Sequence, residues 1–304
     1  MQLPLTGRLL GVTLSHAIFM QFGDIMSACL NLMNDPIRQF FYDSMTRNYG
    51  NVTDEQFQTY FSASASTMFL GLMIGFFAMG KLMDGIGRKQ TIILRCFLGI
   101  LGSIFQLSAH LLDRFELFVI GHTLSGVVTA FKVVLYIWLA ECSPDDKRGI
   151  TALVVNSGAV VMVLLVTPLC LPTVIGTEKL WFLLPCLTAA LATVHLILVL
   201  FFPQSPKQLY IQNRDEPAAR SALRFYYGGG KELEIDNAIR EMKQEKKLAS
   251  KEKSSVLDVL EHDTHRFSFF LVFVCSMVPV GSALNIKSQY LVNMLNSYGL
   301  KQSQ

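Results

Sequence analysis

The sequence predicts an all-α membrane protein: a bundle of six transmembrane helices, a charged helical insert, and a seventh transmembrane helix. Three observations predict it. Of the 304 residues, 51% are hydrophobic and only 16% are charged, against about 25% charged in an ordinary soluble domain. The apolar residues gather in windows long enough to cross a bilayer core, which takes about 20 residues as a helix. The charge gathers elsewhere, above all between Pro203 and Arg266. A net charge of +3 is too small to mark a nucleic-acid surface, so the expected partner is the lipid bilayer and not nucleic acid.

The first apolar window is residues 9–30. No basic stretch, short apolar core and small-residue cleavage site precede it, so it reads as a retained span. The second and third windows are residues 60–80 and 91–112, and the fourth is 116–140. Only Asp113 and Arg114 separate the third from the fourth, which makes those two antiparallel neighbours. The fifth, sixth and seventh windows are 150–171, 180–202 and 267–292. Backbone groups in lipid must pair within their own segment, so each window is a helix. The expected domains are therefore 1–202, the six-helix bundle; 203–266, a cytoplasmic helical linker; and 267–304, the seventh helix and tail.

Lysine and arginine set the orientation. With the N-terminus inside, the inner segments carry nineteen of them and the outer segments five. Asn51-Val52-Thr53 then lies in the first long outer loop, where it reads as an N-glycosylation acceptor. The six cysteines, at 29, 96, 142, 170, 186 and 275, sit in or beside apolar windows and form no CxxC pair. They read as small buried hydrophobes, with neither a disulfide framework nor a zinc site.

The segment 203–266 holds twelve basic and eleven acidic residues. Ile235, Ile239 and Met242 fall on one helical stripe among charges, the pattern of short amphipathic helices. Gly228-Gly229-Gly230 follows no strand and precedes no Lys-Ser/Thr pair, so it reads as a turn and not a phosphate loop.

Between the second and third windows runs GKLMDGIGRKQ, Gly80 to Gln90. It reads as a hinge that turns the chain in little length. Gly80 and Gly87 would allow close helix approach and unusual backbone angles. Arg88 and Lys89 would sit at headgroup level, and Asp84 would accept hydrogen bonds from a neighbouring helix N-terminus. The stretch resembles the loop signature of the major facilitator superfamily. ECSPDDKRG, Glu141 to Gly149, and PQSPK, Pro203 to Lys207, resemble motifs of its sugar porter branch. LTGRL at 5–9 with QFG at 21–23 resembles the first helix of animal facilitative glucose transporters. The resemblance implies a cytoplasmic charge network of Asp84, Arg88, Glu141 and Arg148 that clasps two halves of a carrier and breaks as the inside opens. It also implies a solute site on the fifth and seventh helices. There the chain offers Asn156 for one family glutamine and retains Asn285, while Pro279 and Val280 replace a glutamine pair. His122 stands where the family has an arginine after glycine.

Asp24, Lys132 and Lys287 fall inside windows. A charge at the bilayer centre costs roughly 2.5–3.5 kcal/mol on insertion scales, so such residues face a cavity or a partner. They are candidate solute-binding residues, with snorkelling the rival reading for Lys132. Arg95 reads as snorkelling, and His16 as a packed neutral histidine. No serine–histidine–aspartate spacing, HExxH or metal set occurs, so no enzyme and no cofactor are expected. The resemblance implies a carrier of a hexose or similar small solute, working by alternating access at the plasma membrane. The rival expectation is a truncated, non-transporting form that regulates a full-length relative by pairing with it, since the sequence stops just past a seventh window where the family has twelve.

Overall fold

The computed structural model describes residues 6–249, 266–272 and 274, and every regular element among them is helical. The chain divides into two units, Met1–Asn237 and Ala238–Gln304. Six stretches among the described residues are long and apolar enough to cross a membrane: Gly7–Ser27, Asp54–Gly85, Arg88–Leu112, Phe115–Cys142, Asp145–Cys170 and Leu183–Phe201. The seventh window begins at residues 266–272 and 274, which are helical; the remainder of it lies outside the described residues.

Thr6 opens the first span as an N-cap, its hydroxyl accepting from Leu9 N at 3.3 Å. That span is broken, into α1 (Gly7–Phe19) and α2 (Phe22–Leu32). Where an outer loop was expected, α3 (Asn34–Tyr49) follows. Its sequence is too polar to span, but Ile37, Phe40, Phe41 and Met45 recur at helical spacing and are buried with Phe57, Phe118 and Trp181. Ser44 and Asn48 of α3 donate to Asp113 O, each at 2.8 Å, which ties α3 to the turn between the third and fourth spans.

The second span, α4 (Asp54–Gly85), starts on a capping box: Thr53 and Gln56 satisfy each other's backbone amides. It runs 32 residues and absorbs most of the expected hinge, so only Ile86 and Gly87 turn the chain into α5 (Arg88–Leu112). Asp113, in the left-handed region at φ 54°, ends α5 and leads into α6 (Phe115–Ala130). The fourth span is also broken, at Phe131, and continues as α7 (Lys132–Cys142). The fifth span comprises a 3-10 turn at Asp145–Lys147, α8 (Arg148–Val166) and a second 3-10 turn at Thr167–Cys170; the sixth is α9 (Leu183–Phe201).

The helices pack in a chain of neighbours: α4 on α6, α6 on α5, α5 on α9, and α1 on α8. Lipid offers no hydrophobic drive for this, so small residues let backbones approach. A Cβ on Gly126 of α6 would fall 2.0 Å from Met68 O of α4, and one on Gly71 would fall 1.9 Å from Thr123 O. Large side chains such as Phe77 and Phe201 point outward, each 78% exposed, where a water-soluble protein would bury them.

After α9 come α10 (Pro206–Ile211), α11 (Glu216–Tyr227) and α12 (Glu232–Ala249). The stripe Ile235, Ile239 and Met242 is buried, as its spacing requires. Gly228 and Gly230, at φ 91° and 86°, make the turn between α11 and α12. Arg224 bridges that turn to Glu232 at 2.9 Å, and Arg220 reaches Asp236 at 2.7 Å. Tyr226 donates its hydroxyl to Pro203 O, and its own carbonyl accepts from the Thr6 hydroxyl at 2.6 Å. The start of α1 and the helical insert are thus hydrogen-bonded together.

Candidate functional site

Two clusters of polar side chains among the described residues bring sequence-predicted site residues together. One lies within the spans, at the breaks in the first and fourth. Asp24 is in the first turn of α2, where the helix dipole favours an acid. Lys132 opens α7, where the dipole disfavours a cation, so it depends on a counter-ion. It has one: its Nζ lies 2.5 Å from Asp24 Oδ2, with the two side chains 15% and 26% exposed. The two candidate residues are therefore brought together as a pair. Snorkelling is not how Lys132 is satisfied.

Arg95 behaves differently from its expectation. It does not snorkel: it is fully buried. Its Nε donates to Val128 O at 2.9 Å and its Nη2 to Met20 O at 2.8 Å, and its guanidinium lies 4.3 Å over the Phe22 ring. The carbonyls freed at the two breaks hold it inside more strongly than distant water could draw it out. Beside it, His16 is fully buried; its Nδ1 lies 3.1 Å from His195 Nε2, and Cys96 Sγ lies 3.3 Å from His195 Nδ1. Trp138 and Phe202 pack on the His16 ring. Gln21 donates to Ala17 O and Val155 O, joining the break in the first span to α8.

The second cluster joins the turn between the second and third spans to the ends of the fourth and sixth. Arg88 Nη2 lies 3.2 Å from Glu141 Oε1, with side chains 13% and 10% exposed. Ser205, the N-cap of α10, donates its hydroxyl to the other oxygen of Glu141. Gln208 of α10 accepts from Arg88 N at 3.0 Å. Lys89 donates to Leu200 O and Phe202 O at 2.9 and 2.7 Å, capping the end of α9. Gly87 sits at φ 96°, and a Cβ there would meet the Gln208 amide at 1.8 Å. Close approach is thus real at Gly87. At Gly80 it is not: nothing lies within 4 Å, because α4 continues past it and turns that face outward.

Asp84 does not take the role expected of it. It lies in the last turn of α4, exposed, and makes no ion pair with a described residue. The α5 N-terminus is served instead by Gln208. Arg148 likewise turns to Asp145 at 2.8 Å and to Ala140 O at 2.9 Å, capping α7 in place of reaching Glu141. Asn156 is on the exposed side of α8. Asn51 is exposed just ahead of α4, and the threonine of its sequon, Thr53, is the N-cap of that helix. His122 stacks on Phe118. Asn285, Lys287, Pro279 and Val280 lie outside the described residues. Sequence reasoning missed Ser205, Gln208 and His195. The first two are short-range signals, a Ser-Pro N-cap and its N3 glutamine; His195 carries none.

The fold has solved counterparts. The proton:xylose symporter XylE bound to 6-bromo-6-deoxy-D-glucose superposes with a TM-score of 0.68 at 16% identity, over 80% of this chain and 54% of that one. An inward open form of the xylose transporter XylE from E. coli gives 0.61 at 17% identity, over 83% and 58%. Among curated relatives, solute carrier family 2, facilitated glucose transporter member 4 of Mus musculus is 29% identical over 248 residues, covering 80% of this chain and 48% of its own. Member 5 of Bos taurus is 25% identical over 304 residues, covering 97% and 60%. The chain spans about half the length of the curated relatives it matches. The profile of the sugar (and other) transporter family matches residues 20–304. With six membrane-length helices in the fold just described, this chain is an integral multi-pass membrane protein and belongs to the sugar (and other) transporter family.

Proposed function

We propose that the protein acts as a carrier of a hexose or similar small polar solute, moved by alternating access. The observation that carries this reading, given the family, is the Asp24–Lys132 pair inside the spans. Ionised groups at that depth are costly and mark solute or ion pathways. In the proposed cycle, Asp24 and Lys132 contact the solute. Asn156, Asn285 and Lys287 are the further proposed contacts, carried over from the sequence. Arg88 and Glu141 form the core of a clasp that holds while the cytoplasmic end is closed, with Gly80, Asp84, Gly87, Lys89 and Arg148 around it. A clasp of hydrogen-bonded charges suits a switch whose two states differ by a few kcal/mol. The proposed residence is the plasma membrane, with Asn51 glycosylated on the outer face.

The test is flux. The purified full chain is reconstituted in proteoliposomes, and uptake of labelled hexoses is measured. Saturable uptake is expected, falling about tenfold or more in Lys132→Leu, the kinetic weight of roughly 1.4 kcal/mol. No saturable uptake of any hexose removes the carrier reading. Uptake of unchanged rate and selectivity in Lys132→Leu removes the solute role of the ion pair.

A further inference from the structure

Each broken span lacks helical hydrogen bonds, among them one whose carbonyl is taken by the same side chain at both breaks. At Met20–Gln21 the amide of Asp24 does not reach Met20 O, although the next bond, Ile25 N to Gln21 O, forms at 2.9 Å. At Phe131 the amide of Lys132 does not reach Val128 O, although Phe131 N to Val127 O forms at 3.1 Å. A carbonyl left bare in an apolar interior costs several kcal/mol in lipid. Both freed carbonyls are taken by one side chain, Arg95, at 2.8 and 2.9 Å. The amides displaced from these two carbonyls belong to Asp24 and Lys132, the residues that form the ion pair.

We infer that Arg95 is the positioning residue of the Asp24–Lys132 pair: its guanidinium replaces two backbone donors, keeps both spans broken, and so fixes the starts of α2 and α7 against each other. Two donors from one rigid plane are required, because the carbonyls belong to different helices. A lysine supplies a point charge that serves one of them well. Methionine supplies no donor, and each break then closes by regaining its own i+4 amide. Closing a break rotates the residue that supplies that amide, so Asp24 and Lys132 turn away from each other. The functional consequence rests on the carrier reading; the geometric claim does not.

The test reads lysine protection. The full chain in lipid nanodiscs is pulsed with acetic anhydride, and acetylation of Lys132 is measured by mass spectrometry relative to exposed Lys179. In the wild type, Lys132 is protected. Arg95→Met is expected to raise its relative acetylation severalfold with helical content retained, and Arg95→Lys to give an intermediate value. Phe22→Leu removes the ring beneath the guanidinium but leaves both carbonyl bonds, and is expected to leave the ratio unchanged. An unchanged ratio in Arg95→Met overturns the inference. So does a rise at all lysines together, or a Phe22→Leu effect as large as that of Arg95→Met, because either means general packing and not positioning. In the flux assay, Arg95→Met and Lys132→Leu should be non-additive, as for groups acting through one another; additive losses also overturn it. Protection is read without transport, so failure here is separable from failure of the carrier reading.

Discussion

At the scale of single residues, the backbone decides more than the charges do. Gly87 is the clearest instance. Its φ of 96° belongs to the region that side chains avoid, and the Gln208 amide occupies the space a Cβ would need. Gly87→Ala therefore pays for both strain and collision, about 1–3 kcal/mol for the backbone alone, and it displaces the acceptor of Arg88 N. The expected outcome is a lowered unfolding temperature in detergent, with Gly80→Ala as the neutral comparison, since nothing lies within 4 Å of Gly80. Equal melting of the two variants would show that the turn does not need its glycine. Arg95 teaches the same lesson from the other side: a charged side chain stays inside when backbone carbonyls, freed nearby, have no other donor.

At the scale of elements, helix ends are where the paired charged side chains collect. Two spans are interrupted, and a charged residue follows each interruption. A third element, α10, is only six residues long, yet its Ser205 and Gln208 hold Glu141 and the start of α5. This makes Glu141 the joint between three helix ends. Glu141→Gln keeps the shape and removes the charge, leaving the Arg88 guanidinium without its ion-pair partner. The adjacent free thiol Cys142 is 1% exposed and reports opening of this end. Its maleimide labelling is expected to rise about tenfold in Glu141→Gln, the population change that about 1.4 kcal/mol produces, while Cys170 stays unchanged. No change at Cys142 would mean that the pair is not a clasp.

At the scale of the whole molecule, the bundle differs from a soluble protein in its surface, which exposes large apolar side chains while polar ones are also taken inside. On α5 the inward face is Thr91, Ile92, Arg95, Cys96, Gly102, Ser103, Gln106 and Ala109, and the outward face carries Phe97, Leu101, Ile104 and Leu111. Polar and small residues go in because helices in lipid are held by packing and hydrogen bonds, with no water to expel. The orientation expected from the lysine and arginine distribution is tested at Asn51. Expression in a eukaryotic secretory cell should yield a glycan that a glycosidase removes, and Asn51→Gln should abolish the mobility shift. A glycan absent from wild-type protein that has reached the cell surface would count against an outer position for the loop before α4.

The sequence by itself determined that six membrane-length helices exist and that a charged helical insert follows them, because bilayer thickness and backbone pairing in lipid leave little choice for long apolar windows. It also determined the pairing of the third and fourth spans, through the two-residue turn at Asp113 and Arg114, and the buried stripe of α12. It did not determine α3, whose polar composition hides a helix that pays off only against Phe118 and Trp181. Nor did it determine where the spans break, what Arg95 does, or which residue meets Asp84's expected acceptor role. Those depend on carbonyls and side chains that lie 33 to 120 residues apart in sequence, and a one-dimensional pattern cannot place them. Only the tertiary structure puts Met20, Arg95 and Val128 in contact, and with them the charged pair that each break presents.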